Sequence, residues 1–306
     1  MSLDASEPVL IGIDWGTSSL RAFLIGANGE VLDKVASSQC IMHVAGRDFE
    51  AVFGRLISEW AAERTLPVIA SGMIASRNGW VETPYVNVPS GAGDLARSLV
   101  AHKTSCGIDL RFITGVTTDH ASGPDVMRGE ETQIIGASAL GMSDGTFVMP
   151  GTHSKWIRVT SNRIEDYATY MTGEIFAALK DHTILGTLIE EGSFSPEGFS
   201  QGVTAGLAKG SALLHDLFHV RTLPLLGRMK AADVEDYLSG LLIGAEIKAA
   251  RERGDAPKSV TIVGRTDLTD RYEKALAVAG INSQRAPDDI VAMGHFLIAR
   301  SAGLVS

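Results

Sequence analysis

A strand–turn–strand pattern with a short polar turn occurs twice in this chain of 306 residues, once near the start of each half. The first copy lies within IGIDWGTSSLRAFLIG (11–26) and the second within FVMPGTHSKWIRV (147–159). A turn of glycines and small hydroxyl residues offers backbone N–H groups and little bulk, which suits a phosphate. One such turn is usually an ordinary hairpin, but two in corresponding places indicate two phosphate-binding hairpins. The turn residues are Gly16, Thr17 and Ser18 in the first copy and Gly151, Thr152 and His153 in the second.

Hydrophobic spacing and turn residues predict mixed strands and helices in both halves. The first half is predicted to contain strands over 8–14, 20–25 and 30–36, a helix beginning at Asp48, a strand over 67–73, a polar binding loop over 77–93, a helix over 93–102, a strand over 110–116, a loop over 117–129 and a helix beginning near Glu130. The second half is predicted to contain three strands within 145–169, helices over 173–181, 203–218 and 231–253, a strand over 259–264, a helix from Asp267 and a last helix over 288–303.

Composition narrows the class of protein. The chain is 45% hydrophobic and 21% charged, so it can bury a sizeable core, and its net charge of −9 argues against a nucleic-acid partner. The N-terminus lacks the pattern of a signal peptide, and no apolar run is long enough to cross a bilayer. Cys40 and Cys106 form no zinc or disulfide pattern. A cytoplasmic protein without a membrane or nucleic-acid partner is expected.

Asp14 ends the first strand directly before the first polar turn. A carboxylate beside a phosphate is repulsive unless a cation lies between them, which indicates an Mg²⁺ ion held by Asp14 through water. The alternative is that Asp14 folds back onto its own turn. Other phosphate motifs are absent, because no G-x-x-x-x-G-K-[ST] sequence occurs and no G-x-G-x-x-G follows a strand.

Several longer motifs resemble known families. IDWGTSS (13–19), MPGTHSKW (149–156) and VTIVGRTDLTDRYEKAL (260–276) resemble the two phosphate motifs and the adenosine motif of the sugar-kinase, Hsp70 and actin superfamily. A narrower resemblance is to the 2-dehydro-3-deoxygalactonokinase family. It is carried by ASGMIASRNGW (70–80), TPYVNVP (83–89), VMRGEETQIIGA (126–137), YMTGE (170–174) and LSGLLIGAE (238–246).

The resemblance implies a fold and a reaction. The fold would be α/β, with two ribonuclease-H-like (actin-like ATPase) domains, mixed sheets and a central cleft. Residues 1–139 would form a sugar-binding domain that carries the first phosphate motif, and 140–287 a nucleotide-binding domain with Gly264 at the nucleotide. The segment 288–306 would pack back on the first domain. The reaction would be ATP-dependent phosphorylation of 2-dehydro-3-deoxy-D-galactonate to the 6-phosphate in galactonate breakdown, with ATP and Mg²⁺ as cofactors.

Two other functions remain open from the sequence alone. One is a kinase for another keto-deoxy sugar acid or a ketose. The other is a nucleotide-binding regulator with the same fold, although no helix-turn-helix extension or separate peptide-binding domain is visible in the sequence.

The transfer would need a general base, and binding of the sugar acid would need a cation for its carboxylate. Glu130 follows Gly129 at a helix start, where the helix N-terminus stabilises an ionised carboxylate, and it matches the place of an acidic residue in related carbohydrate kinases. Glu131 is the competing base.

Arginine favours bidentate binding of a carboxylate, so Arg77 is the first candidate for the substrate carboxylate. Further substrate candidates are Ser76, Asn78, Trp80, Arg128 and Lys155, of which Lys155 could instead face the phosphate. Trp15 and Trp80 are either walls of the sugar pocket or core residues.

Overall fold

The computed structural model describes residues 7–190, 192–208, 210 and 212–306. The chain divides into two units. The first comprises Met1–Asp144, Val159–Asp166 and Pro287–Ser306, and the second comprises Gly145–Arg158 and Tyr167–Ala286.

Strands and helices alternate irregularly along the chain. The strands are β1 (Pro8–Trp15), β2 (Leu20–Gly26), β3 (Val31–Ser37), β4 (Val68–Ser71), β5 (Tyr85–Asn87), β6 (Val100–Lys103), β7 (Asp109–Phe112), β8 (Gly115–His120), β9 (Gly123–Met127), β10 (Gly145–Met149), β11 (Ser154–Thr160), β12 (Arg163–Tyr170), β13 (Ser259–Ile262) and β14 (Asn282–Arg285). The α-helices are α1 (Phe49–Glu63), α2 (Ala92–Arg97), α3 (Glu130–Ser138), α4 (Thr172–His182), α5 (Pro196–Leu207), α6 (Leu213–Asp216), α7 (His219–Leu225), α8 (Val234–Arg253), α9 (Thr266–Val278) and α10 (Ile290–Ser301).

The first unit is built on a six-stranded sheet in the order β3-β2-β1-β4-β7-β6. Strands β1, β2 and β3 pair antiparallel, whereas β1, β4 and β7 pair parallel. Strand β1 is buried along most of its length, as expected for a central strand of a mixed sheet. Asp14 pairs with Arg21 across the hairpin and with Ser71 on β4. The carboxyl ends of β1 and β4 therefore lie side by side at one edge of the sheet.

The second unit repeats this strand order. Its five-stranded sheet runs β12-β11-β10-β13-β14, which corresponds strand for strand to β3-β2-β1-β4-β7. Strands β10, β13 and β14 pair parallel, like their counterparts. Two mixed sheets of this shared order with helices confirm the α/β, ribonuclease-H-like fold class expected from the sequence.

Helices pack closely where glycine removes the side chain. In the first unit, a Cβ atom on Gly136 of α3 would lie 1.9 Å from the carbonyl oxygen of Ile290, which opens α10. In the second unit, a Cβ atom on Gly240 of α8 would lie 2.2 Å from the carbonyl oxygen of Phe199 on α5. The small residues of LSGLLIGAE therefore serve close packing of two helices in this unit. The described part of the chain contains no helix that is both long and apolar enough to cross a membrane.

The structure corrects several predicted elements. The helix predicted over 93–102 ends at Arg97, and Val100–Lys103 forms strand β6. The strand predicted over 110–116 is two strands, and the predicted loop over 117–129 contains the β8–β9 hairpin. These residues pair with β5 as a three-stranded sheet.

The helix predicted over 203–218 is also wrong. Ser195 caps α5 by accepting a hydrogen bond from the Gly198 backbone N–H, and Pro196 occupies the first turn, so the helix begins earlier. It ends at Leu207, and α6 begins only at Leu213. By contrast, Asp48 caps α1 as predicted, accepting from the Ala51 backbone N–H.

Candidate active site

The first polar turn is tight and presents its side chains to solvent. The Gly16 backbone N–H donates to the Ser19 carbonyl oxygen at 2.8 Å. Thr17 and Ser18 are exposed, while Asp14 is only 7% exposed. The Asp14 side chain does not close this turn, because its Oδ2 atom accepts a hydrogen bond from Arg21 Nη2 at 2.5 Å. The turn therefore offers hydroxyl groups and backbone next to a buried carboxylate.

Burial and neighbouring charges act in opposite directions on Asp14. Burial is the largest effect and raises its pKa, the Arg21 guanidinium lowers it, and the Glu130 and Asp289 carboxylates raise it further. Asp289 also lies 3.6 Å from Arg21 Nη1 and 2.8 Å from Lys34 Nζ. Glu130 is close enough to Asp14 to raise its pKa. Two predicted site residues that are far apart in sequence therefore lie near each other in the first unit.

Two glycines allow these segments to meet. Gly72 follows β4 with φ 93°, and a Cβ atom on it would lie 2.8 Å from the Trp15 carbonyl oxygen and 3.4 Å from Asp14 Oδ1. Gly129 has φ 113°, and its Cβ atom would lie 3.1 Å from the Gly72 Cα atom. Both backbone conformations favour glycine. The end of β1, the end of β4 and the start of α3 are therefore in close backbone contact.

Glu130 and Glu131 have different environments although they are neighbours in sequence. Glu130 is partly exposed, and its Oε2 atom accepts a hydrogen bond from the Arg128 backbone N–H at 3.1 Å. Glu131 is fully buried; its Oε2 accepts from the Gly129 backbone N–H at 2.6 Å and its Oε1 from Thr132 Oγ1 at 3.0 Å. Only Glu130 of the two is open to a solvent-borne substrate.

Hydrogen bonds from Ser76 and Arg47 fix the backbone of the loop that follows Gly72. Ser76 Oγ donates to the Met73 carbonyl oxygen at 2.7 Å, and Arg47 donates to the carbonyl oxygens of Asn78 and Gly79 at 3.1 and 2.9 Å. The side chains of Arg77 and Asn78 are exposed. The predicted substrate loop thus has a fixed backbone with exposed polar side chains.

Trp15 and Trp80, the two tryptophans proposed as walls of a sugar pocket, pack in the core of the first unit. The Trp80 ring contacts the rings of His102 and Phe112 at centroid distances of 4.9 and 5.9 Å. Trp15 is 1% exposed, packs edge-on against Phe49 and donates from Nε1 to the Gln39 carbonyl oxygen at 3.0 Å. Core packing accounts for both residues without a ligand.

Arg128 is a buried cation that is held by uncharged groups. It is 7% exposed, donates from Nη2 to the Thr83 carbonyl oxygen at 2.9 Å and from Nη1 to Thr83 Oγ1, and stacks on Tyr85 at 4.3 Å from the ring centroid. Within the described residues no carboxylate pairs with it, and its Nε atom has no hydrogen-bond partner. Buried charges normally have a counter-charge, so this arginine suits an anionic ligand.

The second polar turn lies in the second unit. Gly151 is partly buried and Thr152 and His153 are exposed. His153 Nε2 lies 2.5 Å from Glu174 Oε2. Lys155 is 4% exposed, and its Nζ donates to the His153 carbonyl oxygen at 3.3 Å, which keeps the ammonium group beside the turn.

Gly264 follows β13 with φ 156° and lies against the residue before this turn, because a Cβ atom on it would be 3.6 Å from the Pro150 carbonyl oxygen. The structure therefore brings Gly264 together with the second turn inside one unit.

Sequence reasoning missed two buried polar groups. His295 on α10 is fully buried and lies 2.9 Å from Ser71 Oγ, and burial lowers its pKa to about 3. Gly12 leaves space for it, since a Cβ atom there would be 2.5 Å from His295 Nδ1. Glu246 is buried in the second unit among four hydrogen-bond donors. A glutamate inside the apolar run LLIGAEI was a visible signal for the latter.

No group of three or more potential His, Cys, Asp or Glu ligands is arranged as a metal site within the described part of the chain. Mg²⁺ commonly takes one or two carboxylates plus substrate phosphates and waters. A single buried carboxylate beside an exposed polar turn fits that mode of binding, in which the protein does not enclose the ion.

The two sheets have the same strand order, and each has a polar turn after its first strand in the chain, which defines an α/β protein with the actin-like ATPase fold. The sequence matches the family described as 2-keto-3-deoxy-galactonokinase over residues 14–298. The chain belongs to this family.

Named relatives agree. The chain is 37% identical over 270 residues to the 2-dehydro-3-deoxygalactonokinase of Escherichia coli K12, covering 88% of this chain and 90% of the relative. It is 35% identical over 294 residues to a probable 2-dehydro-3-deoxygalactonokinase, DgoK1, of Rhizobium meliloti, covering 94% and 96%. The crystal structure of a Sinorhizobium meliloti protein with the same, provisional kinase name superposes on this chain with a TM-score of 0.88 at 34% identity. The match covers 95% of this chain and 98% of that one.

Glu131 gives a prediction about the pH dependence of stability. Burial and the nearby Glu130 charge raise the pKa of Glu131 from 4.5 to about 7. A carboxyl group with a higher pKa in the folded chain binds more protons when folded, so stability falls as the pH rises from about 4.5 to about 7. Glu131→Gln should remove this dependence, worth at most about 3 kcal/mol. Urea unfolding of both proteins at pH 5 and pH 8 measures it.

Glu130→Gln is the matched control for that experiment. It removes only the neighbouring charge, so it should reduce the pH slope in part. Equal slopes for wild type and Glu131→Gln would show that Glu131 is not a buried group of raised pKa.

Proposed function

We propose that this chain transfers the γ-phosphoryl group of ATP to 2-dehydro-3-deoxy-D-galactonate and forms the 6-phosphate and ADP in galactonate breakdown. Family membership supports the substrate class. The observation that carries the proposal for the site is the neighbourhood of Asp14 and Glu130, two carboxylates with different partners beside the first polar turn. Phosphoryl transfer needs charge neutralisation on the phosphates and an oriented hydroxyl group. Asp14 is proposed to serve the first need and Glu130 the second.

Each polar turn has a proposed role in holding phosphate. Gly16, Thr17 and Ser18 offer backbone and hydroxyl donors in the first unit, and Gly151, Thr152 and His153 do so in the second. Lys155 adds a buried ammonium group beside the second turn. Gly264 leaves room for a nucleotide to approach the end of β13. These roles assign the sugar to the first unit and the nucleotide mainly to the second.

Asp14 is proposed to hold Mg²⁺ through a water molecule. The bound ion would neutralise charge on the phosphate oxygens. Arg21 limits the repulsion that a bare buried carboxylate would exert on a phosphate, because the ion pair at 2.5 Å offsets part of its charge. The pair also fixes the direction of the carboxylate, since Asp14 and Arg21 face each other across the hairpin.

Glu130 is proposed as the base that accepts the proton of the substrate hydroxyl group. Its Oε2 is oriented by the Arg128 backbone N–H. Glu130 is the first residue of α3, and an ionised carboxylate is the form that accepts a proton. Glu131 is suited to a different task, because it ties Gly129 to the helix start and has no open face.

Arg128 is proposed as the anchor for the substrate carboxylate. Its guanidinium group is already ordered by Thr83 and Tyr85, so little side-chain entropy is lost on binding. Arg77 is the alternative anchor, on the exposed side of the neighbouring loop. Ser76 and Asn78 belong to the same loop and are proposed to contact the sugar.

Glu130→Gln tests the base. The variant should lose at least about 10²-fold in kcat, because the amide cannot accept the proton, while ATP binding is retained. A coupled ADP-release assay and calorimetric titration with a non-hydrolysable ATP analogue measure the two quantities. Glu131→Gln is the matched control and should stay within about threefold of wild type in kcat. A larger loss in Glu131→Gln than in Glu130→Gln would reverse the assignment.

Arg128→Gln and Arg77→Gln test the anchor. Loss of a charged hydrogen bond to the substrate should raise the KM for the sugar acid by about 10- to 100-fold in Arg128→Gln, with the KM for ATP nearly unchanged. Arg77→Gln should change the sugar-acid KM by less than about threefold. Urea unfolding checks that each variant is folded. A larger effect in Arg77→Gln would make Arg77 the anchor, and equal effects on both substrates would exclude Arg128.

A further inference from the structure

A buried carboxylate in the second unit is held by uncharged hydrogen-bond donors. Glu246 lies on α8 and is 3% exposed. In the described residues no lysine or arginine forms an ion pair with it. Its charge is instead met by hydrogen bonds, and burial is the main reason why its pKa is raised. Such an arrangement costs free energy unless its geometry is well satisfied.

Four donors surround the two oxygens of Glu246. Oε1 accepts from Ser154 Oγ at 2.7 Å and from Trp156 Nε1 at 2.8 Å. Oε2 accepts from Tyr272 Oη at 2.6 Å and from Thr172 Oγ1. Each oxygen therefore has two donors, and the carboxylate links β11, α4 and α9 to α8.

Two of these donors belong to the structure that forms the second polar turn. Ser154 follows His153 directly and begins β11. Thr172 begins α4, whose next residue lies under the turn, because a Cβ atom on Gly173 would be 2.3 Å from the Gly151 carbonyl oxygen. The Glu174 backbone N–H donates to the Thr152 carbonyl oxygen at 2.9 Å. The turn is thus held on one side by β11 and on the other by α4, and both are bound by Glu246.

We propose that Glu246 is a positioning residue for phosphate: it holds the turn Gly151–His153 in the conformation that binds the phosphates of ATP. This inference rests on the proposed function. Glu246 itself is buried and acts through Ser154 and Thr172. An isosteric amide disturbs this arrangement, because an NH₂ group replaces one acceptor oxygen and the two groups that donate to that oxygen lose their acceptor. Loss of these hydrogen bonds should therefore weaken binding of the nucleotide more than binding of the sugar acid.

Glu246→Gln is the test, with Asp236→Asn as a matched control. Asp236 is a buried carboxylate on the same helix that accepts from the Ser195 backbone N–H at 2.6 Å and from Arg271 at 2.7 Å, and it has no bond to the turn. Glu246→Gln should weaken binding of a non-hydrolysable ATP analogue by about tenfold and raise the KM for ATP by a similar factor. The KM for the sugar acid should stay within about twofold. Asp236→Asn should lower stability without changing either KM.

Tyr272→Phe keeps the test decisive if Glu246→Gln does not fold. It removes one donor and retains the ring, so it should weaken analogue binding in the same direction by a smaller factor. Unchanged analogue binding in the folded variants, or equal changes in both KM values, would overturn the inference. If the wild type binds the analogue but phosphorylates no sugar acid, the proposed function fails while the analogue titration still decides the role of Glu246.

Discussion

The backbone contact between Gly72 and Gly129 is the constraint on which the candidate site depends. A Cβ atom on Gly129 would lie 3.1 Å from the Gly72 Cα atom and crowd the start of α3 against the end of β4. A Cβ atom on Gly72 would lie 2.8 Å from the Trp15 carbonyl oxygen and crowd the end of β4 against the end of β1. Glu130 follows Gly129 directly and Gly72 lies beside Asp14, so this contact places the two carboxylates near each other. Two positive φ angles, which only glycine adopts at low cost, thus convert two distant sequence motifs into one neighbourhood.

Buried carboxylates recur in both units, and their partners separate their roles. Asp14 has an arginine partner and an exposed turn next to it. Glu131 and Glu246 have no cation among the described residues and are satisfied by hydrogen-bond donors from the elements they join. An acid enclosed by donors stabilises a local arrangement, whereas an acid open on one side can act on a ligand. This distinction favours Glu130 over Glu131 as the base and assigns Glu246 to the shape of the second turn.

The sequence predicts the parts of the fold that local patterns determine. The Asn-Gly turn, the alternating strands before it and the Asp48 cap correctly predict β1 to β3 and α1. The β8–β9 hairpin was missed because its strands are rich in polar and turn residues, half exposed and paired in a small sheet. The boundary of α5 was missed because the glycine-rich segment after Pro196 gives a weak helical pattern.

Some site residues were also recognisable from local sequence patterns, and others were not. The two turns and the glycine-led acid were visible as motifs, but the choice between Glu130 and Glu131 depends on which side of one helical turn faces inward. The pairing of Arg128 with Thr83 and of Glu246 with Tyr272 joins residues far apart in sequence, so no local pattern reveals them.

The most direct test is to follow the fate of the phosphoryl group in the wild-type protein by phosphorus NMR. With ATP, Mg²⁺ and 2-dehydro-3-deoxy-D-galactonate, the account predicts ADP and one phosphate ester on the primary carbon of the sugar acid in equal amounts. Without the sugar acid, ATP should remain intact. Release of inorganic phosphate without an ester, or an ester formed equally well on a neutral ketose, would contradict it.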